Sequence, residues 1–265
     1  MPKVKAIISD ADGTLVNTLY LIRHGQYETA KTYLIQHGIP DSHIPSYSEY
    51  EKHLHTVLGG SARETLERTI KLIYEEIPEH LEGVNYDALH EMLNPIQDKI
   101  APRFVKAYPG LSKILKIMGN NKVYLAIFTS GTPHHVVRNF GISLPELGLS
   151  TLFMDKKLKD TEKMHIFEHK VEQYFKIPKM IFITCEDIST NKPDPESILI
   201  ALDRLGIQKV DALVLGDHKV DMQAGVNADV SVRVGISHGF DDKAALKESG
   251  ATKVINSLDD LSQLL

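Results

Sequence analysis

Two aspartates one residue apart close an apolar run, in the string Ile7-Ile8-Ser9-Asp10-Ala11-Asp12-Gly13-Thr14. Residues two apart in a strand share a face, so both carboxylates would crowd together if the strand continued. Gly13 predicts a turn instead, which splays Asp10 and Asp12 around one pocket. Paired acids at a strand tip suit metal binding or proton transfer. A calcium loop is excluded, because its glycine belongs at the sixth position and a glutamate at the twelfth. Counted from Asp10, Gly13 is fourth, Leu21 is twelfth, and a strand precedes the pair. Taken alone, the pair equally fits an ordinary turn.

Three later segments add polar groups of matching chemistry. Thr129 and Ser130 follow an apolar run and offer hydroxyl and backbone N–H donors for phosphate oxygens, although a plain helix cap has the same composition. Lys192 lies in Asn191-Lys192-Pro193-Asp194-Pro195, where the prolines stiffen the loop that carries it. Asp217 and Asp221 share one short loop leading into a helix. Four carboxylates near one sheet end repel: at ~4 Å and an effective dielectric of ~20, each pair costs about 4 kcal/mol. The cluster therefore calls for a cation, and hard oxygen ligands favour Mg²⁺. Acids, Mg²⁺, a lysine and hydroxyls converging on one group make phosphoryl transfer the expected reaction.

The elements that must bring these groups together are legible as alternating patterns. Apolar runs at 4–9, 123–129, 180–184, 212–216 and 230–234 predict strands covered on both faces. Helical patterns at 111–118, 133–140, 195–205 and 220–228 separate them, which predicts a doubly wound parallel α/β sheet with its chemistry at the strands' carboxyl ends. Residues 19–105 break the rhythm. There a helix at about 18–37 ends at Gly38, Ser61 and Glu64 form a capping box, and apolar stripes run through Leu66, Ile70, Ile73 and Ile77 and through Leu89, Met92, Leu93, Ile96 and Ile100. This segment is expected to be an inserted helical domain, leaving 1–18 and 106–265 as the α/β core.

Composition narrows the partners. A net charge of −5 gives no reason to expect nucleic acid or an anionic membrane. No apolar stretch reaches membrane-spanning length, and the single cysteine, Cys185, read as a buried structural thiol, fits a reducing compartment. A cytoplasmic location is the expectation.

At this point the chain resembles the haloacid dehalogenase superfamily, whose members are mainly phosphatases. Asp10-Ala11-Asp12-Gly13-Thr14 is similar to its first motif, Thr129 to its second, Lys192 to its third, and the 216–221 segment with Asp217 and Asp221 to its fourth. The resemblance implies a Rossmann-like sheet of order 5-4-1-2-3 with an α-helical cap, as in phosphoglycolate phosphatases and β-phosphoglucomutases. It implies Asp10 as nucleophile, Asp12 as general acid and base, Thr129 and Ser130 as phosphate grip and Lys192 as charge neutraliser. It also implies Mg²⁺ held by the Asp10 carboxylate, the Asp12 carbonyl and Asp217, with Asp221 ordering a metal-bound water or Lys192. Dehalogenases and phosphonatases in this superfamily typically lack the acid at Asp12, so an esterase or mutase is favoured. Ala11 and Asn17 depart from the usual bulky apolar and acidic residues.

The resemblance further implies that the cap selects a small phosphorylated metabolite, with Gly59-Gly60-Ser61-Ala62-Arg63 as specificity loop. Gly60 would permit close approach, and Arg63 would meet a second anionic group, unless it is merely a solvated residue at a helix start. Arg23 and His24 are further candidates on the first cap helix, while His134 and His135 read as solvated. The segment 141–179 is longer than usual, with an extra helix expected near 164–175. A sugar-phosphate mutase and a non-catalytic binding protein on the same scaffold are the rival readings.

Overall fold

In the computed structural model, which describes residues 4–57 and 62–265, the chain divides into two compact units, 1–18 with 105–265 and 19–104. The first unit is built on β1 (Ala6–Ser9), whose four residues are all buried. A short ribbon follows, β2 (Val16–Asn17), and the chain leaves for the second unit.

That unit is helical: α1 (Leu19–Gln36), α2 (Tyr47–Val57), α3 (Ala62–Ile73), α4 (Tyr86–Glu91) and α5 (Leu93–Phe104). Ala30 and Leu34 from α1 meet Tyr50, Leu54, Leu66, Ile70, Tyr74 and Leu89 in one core. Two stripes differ from expectation. α3 stops at Ile73, so Ile77 falls outside the helix and Tyr74 occupies the core instead. The second stripe is broken at Met92, and in α5 the buried row is Leu93, Gln97 and Ala101 rather than Ile96 and Ile100. Gly25 on α1 explains the buried glutamine, because a Cβ there would lie 2.6 Å from Gln97 Cγ. The helices close over a polar side chain where a methyl group would have kept them apart.

The chain re-enters the first unit through β3 (Lys106–Ala107), antiparallel to β2. It continues through α6 (Leu111–Asn121), β4 (Tyr124–Phe128), α7 (Pro133–Ser143), α8 (Asp160–Phe175), β5 (Met180–Ile183), α9 (Glu196–Leu205), β6 (Ala212–Gly216), α10 (Lys219–Asn227), β7 (Val232–Ile236), α11 (Lys243–Glu248), β8 (Lys253–Ile255) and α12 (Leu258–Leu261). The main sheet is wholly parallel, with order β5-β4-β1-β6-β7-β8. The five expected strands occupy the expected order, the fifth shifted to Val232–Ile236. β8 extends the sheet by an edge strand too short and too exposed to carry an apolar signature. On one face, Ile8, Phe128 and Val214 pack against Ile198 and Ala201 of α9 and Ala224 of α10.

The long segment after α7 has a clear structural task. α8 packs Phe167 against Phe140 and Phe182. Its Glu168 and Glu172 carboxylates accept hydrogen bonds from Phe182 N and Met180 N, each at 2.8 Å. Those N–H groups belong to the sheet's edge strand, which is thereby blocked from pairing with another chain.

Candidate active site

Register brings the functional loops together. Ser9 is level with Ile127 on one side and Leu215 on the other, so the chain turns out of β1, β4 and β6 at neighbouring points. Asp10 N still donates to Leu215 O at 2.8 Å, which fixes the first aspartate against β6. The turn then forms tightly: Gly13 N donates to Val16 O, and Leu15 and Val16 N both donate to Ala11 O. Gly13 adopts φ +91°, a conformation that side chains resist, and a Cβ there would collide with the Asp217 carboxylate.

Around this turn the structure assembles Asp10, Asp217 and Asp221, all buried, with carboxylate oxygens within 4.8 Å of one another. Lys192 reaches them from the loop after β5, its Nζ bonded to Asp10 Oδ1 and, at 2.9 Å, to Asp221 Oδ1. The lysine's side chain is only 7% exposed and its Nζ lies 3.9 Å from the centre of the Phe128 ring. Its loop is held by Glu196, whose carboxylate accepts from Ser189 N and Thr190 N, each at 2.8 Å, and by Asn227 Nδ2 on Pro193 O. The Thr14 hydroxyl sits between Asp217 Oδ1 at 2.5 Å and Asp10 Oδ2 at 3.2 Å.

Burial drives the electrostatics. It pushes Asp10 up to about 7; the Lys192 charge opposes that, but the charge of Asp221 adds to it. Asp217 is likewise raised well above the usual carboxylate range by burial and by its neighbours Asp10 and Asp221. Burial works against the Lys192 ammonium, yet Asp10 and Asp221 outweigh it and raise its pKa. Lys192 thus bonds two of the three buried carboxyl groups, and the all-oxygen donor set fits a hard divalent ion. Asp217 is further pinned by Phe240 N at 2.8 Å, while a Cβ on Gly239 would overlap its carboxylate. Phe240 acts through its backbone, so nothing in its residue type marks the role.

Asp12 is half-buried and turns another way, its Oδ1 accepting from Thr18 Oγ1 at 2.8 Å and Asn139 Nδ2 at 3.0 Å. Burial raises its pKa; Thr18, Arg138, Asn139 and Lys192 partly oppose that. Thr129, 4% exposed, donates its N–H to Ile183 O, and its Oγ1 accepts from Gly131 N at 3.0 Å. Thr129 and half-buried Ser130 precede the N-terminus of α7, where Thr132 caps the helix and Pro133 occupies its first turn. Helix N-termini attract anions through their free N–H groups. The two histidines there are half-buried rather than solvated. His134 Nδ1 lies 3.6 Å from Asp160, and the His135 side chain closes the capping box, so packing and capping draw both from water.

In the helical unit, Arg63 is exposed and ion-paired with Asp87, and Gly60 lies outside the described residues. Arg23 pairs with Glu51 at 3.1 Å, and His24 packs on Tyr20, Tyr47 and Phe104. Cys185 is half-buried rather than fully so.

Residues 4–229 match the haloacid dehalogenase-like hydrolase family. The chain belongs to that family. Among its relatives, the phosphorylated carbohydrates phosphatase of Thermotoga maritima is 25% identical over 253 residues, covering 95% of this chain and 94% of the relative. Phosphoglycolate phosphatase 1 of Pseudomonas aeruginosa is 23% identical, covering 97% and 78%. The fold is shared with CbbY from Rhodobacter sphaeroides, solved in complex with phosphate, at a TM-score of 0.62 and 16% identity over 97% of this chain and 96% of that one. Among the described residues, no helix is long and apolar enough to cross a membrane.

Proposed function

We propose that this hydrolase is a Mg²⁺-dependent phosphatase of a small phosphorylated metabolite, working through an aspartyl-phosphate on Asp10. The observation that carries the reading is the bridging of Asp10 and Asp221 by Lys192 beside Asp217, with Asp12 held apart on separate donors. Relatives named as phosphatases of phosphorylated carbohydrates and of phosphoglycolate support the substrate class.

An Asp10 oxygen attacks phosphorus, and the bond from phosphorus to the ester oxygen breaks with its electron pair leaving on that oxygen. Asp12 gives the leaving oxygen its proton and is left as a carboxylate. In the second step Asp12 takes a proton from water as the water oxygen attacks the aspartyl-phosphate, releasing phosphate and restoring Asp10. Lys192 and the Thr129–Ser130 turn meet the charge on the phosphoryl oxygens. Asp10, Asp217 and the Asp12 carbonyl would hold Mg²⁺, while Asp221 fixes Lys192. The ion would supply charge neutralisation that one lysine cannot. The helical unit serves as the cap that selects the metabolite.

A screen of phosphorylated metabolites, with and without magnesium, tests this. Magnesium-dependent release of phosphate from at least one monoester is expected. Absence of any such release would return the chain to a binding or regulatory role, whereas activation by a bisphosphate with no net phosphate release would make it a mutase.

A further inference from the structure

Asp12 differs from the other carboxylates in how its two oxygens are used. Both side-chain donors, Thr18 Oγ1 and Asn139 Nδ2, fall on Oδ1. Asn139 is itself fixed, because Nε of Arg138 donates to Asn139 Oδ1 at 3.0 Å, and that arginine is 1% exposed. An amide whose oxygen faces a guanidinium must turn its NH₂ group the other way, and here the other way is Asp12. An sp² oxygen has two lone pairs, and those of Oδ1 are both occupied. A proton carried by Asp12 therefore belongs on Oδ2, on a carboxyl group whose plane is set from two sides.

We infer that Thr18 and Asn139, with Arg138 orienting the Asn139 amide, are positioning residues that aim the Asp12 Oδ2–H at the leaving oxygen. This rests on Asp12 acting as general acid in the phosphatase reading. As the ester bond breaks, the electron pair goes to the leaving oxygen, which takes the Oδ2 proton. Negative charge then spreads over the Asp12 carboxylate, and the two donors on Oδ1 meet it. Both hydrogen bonds gain strength as that charge appears, so they favour the transition state over the ground state. None of the three residues belongs to the motifs quoted above. Thr18 directly follows β2, after the first motif, and Arg138 and Asn139 stand in the middle of α7.

The test compares kcat/KM for phenyl phosphate, whose leaving group needs a proton, with that for dinitrophenyl phosphate, whose leaving group does not. Full-length protein with magnesium is used, as wild type, Thr18→Val, Thr18→Ser, Asn139→Leu and Asp12→Asn. A lost general acid costs about 10²–10⁴-fold, and mispositioning is expected to cost part of that. Thr18→Val and Asn139→Leu should each lose about 10- to 100-fold on phenyl phosphate and less than about threefold on dinitrophenyl phosphate. Thr18→Ser should stay close to wild type. Equal losses on both substrates, or no loss on phenyl phosphate, would overturn the inference while Asp12→Asn remains selective. If Asp12→Asn shows no such selectivity, or wild type hydrolyses neither substrate, the phosphatase reading falls instead.

Discussion

Two ion pairs, one in each unit, place a cation against a carboxylate with opposite consequences. Lys192 and Asp10 have side chains 7% and 10% exposed, whereas Arg63 and Asp87 are 48% and 69% exposed. In water, an exposed pair gains little, about 0–1 kcal/mol, because solvent already satisfies both charges. Out of water, the same pairing sets protonation states and leaves a strong demand for further positive charge. The sheet unit concentrates charge where it cannot be solvated. Among the described residues of the helical unit no charged side chain is fully buried, and its buried polar groups, such as Gln97 and Thr69, are uncharged.

The largest expected effect tests the buried side directly. Asp10→Asn keeps the size of the side chain but removes the nucleophile proposed above, so turnover should fall below detection in the metabolite screen. Circular dichroism should show an unchanged fold, since the uncharged amide is easier to bury than a carboxylate. Next, Lys192→Met should lower kcat about 10²–10³-fold, the range seen when a preorganised charge-stabilising donor is lost. If Lys192 is merely structural, Tm would fall while kcat held.

A third prediction concerns pH and metal. Asp10 has an ordinary value of 3.8 and stands at about 7 in the folded chain, chiefly through burial. Below about pH 4 the folded and unfolded chains both hold this proton, and its contribution to stability is fully present. As pH rises through the folded value, the unfolded chain has already ionised, so that stability is lost across the window from 3.8 to about 7. Asp217, raised for the same reason, acts in the same direction. Metal-free protein should therefore have a lower Tm at pH 8 than at pH 5. If the ionised carboxylates hold magnesium as proposed, the ion should raise Tm more at pH 8. A magnesium shift independent of pH would remove the carboxylates from the site.

The same contrast explains what could be read from the chain alone. Asp10 and Asp217 stand where apolar runs stop, and a charge at the end of a buried strand is conspicuous; Lys192 lies further along the loop after β5 and was marked instead by the prolines that stiffen it. The strands that deliver the two aspartates were visible because both sheet faces are covered, leaving Ala6–Ser9 and Ala212–Gly216 buried at every position. Asn139 and Arg138 escaped because α7 is buried nearly all round, so polar residues within it look like the exposed stripe of an ordinary helix. A signal was present in retrospect: Val136, Val137 and Phe140 flank the pair, leaving little of the helix for water. Phe240 holds Asp217 through its N–H, which residue type cannot announce. In the helical unit, Gln97 took a core position because Gly25 on another helix left room, a fact of tertiary packing that local periodicity does not contain.

The smallest effect should come from the exposed pair, and it sharpens the comparison most. Arg63→Ala and Asp87→Ala should each leave Tm nearly unchanged, because the bond between them is solvated and adds at most about 1 kcal/mol. If Arg63 leaves Asp87 to meet an anionic group on the metabolite, Arg63→Ala should raise KM for the natural substrate well beyond its effect on a plain aryl phosphate. kcat should hold, since a contact made equally in ground and transition states changes KM alone. Asp87→Ala then serves as the control: it frees the guanidinium, so KM for the natural substrate should stay level or fall. A rise in KM from both substitutions would mean that the pair acts as a unit holding the helical surface in shape. Equal effects of Arg63→Ala on both substrates would leave the arginine as solvated charge with no part in selection.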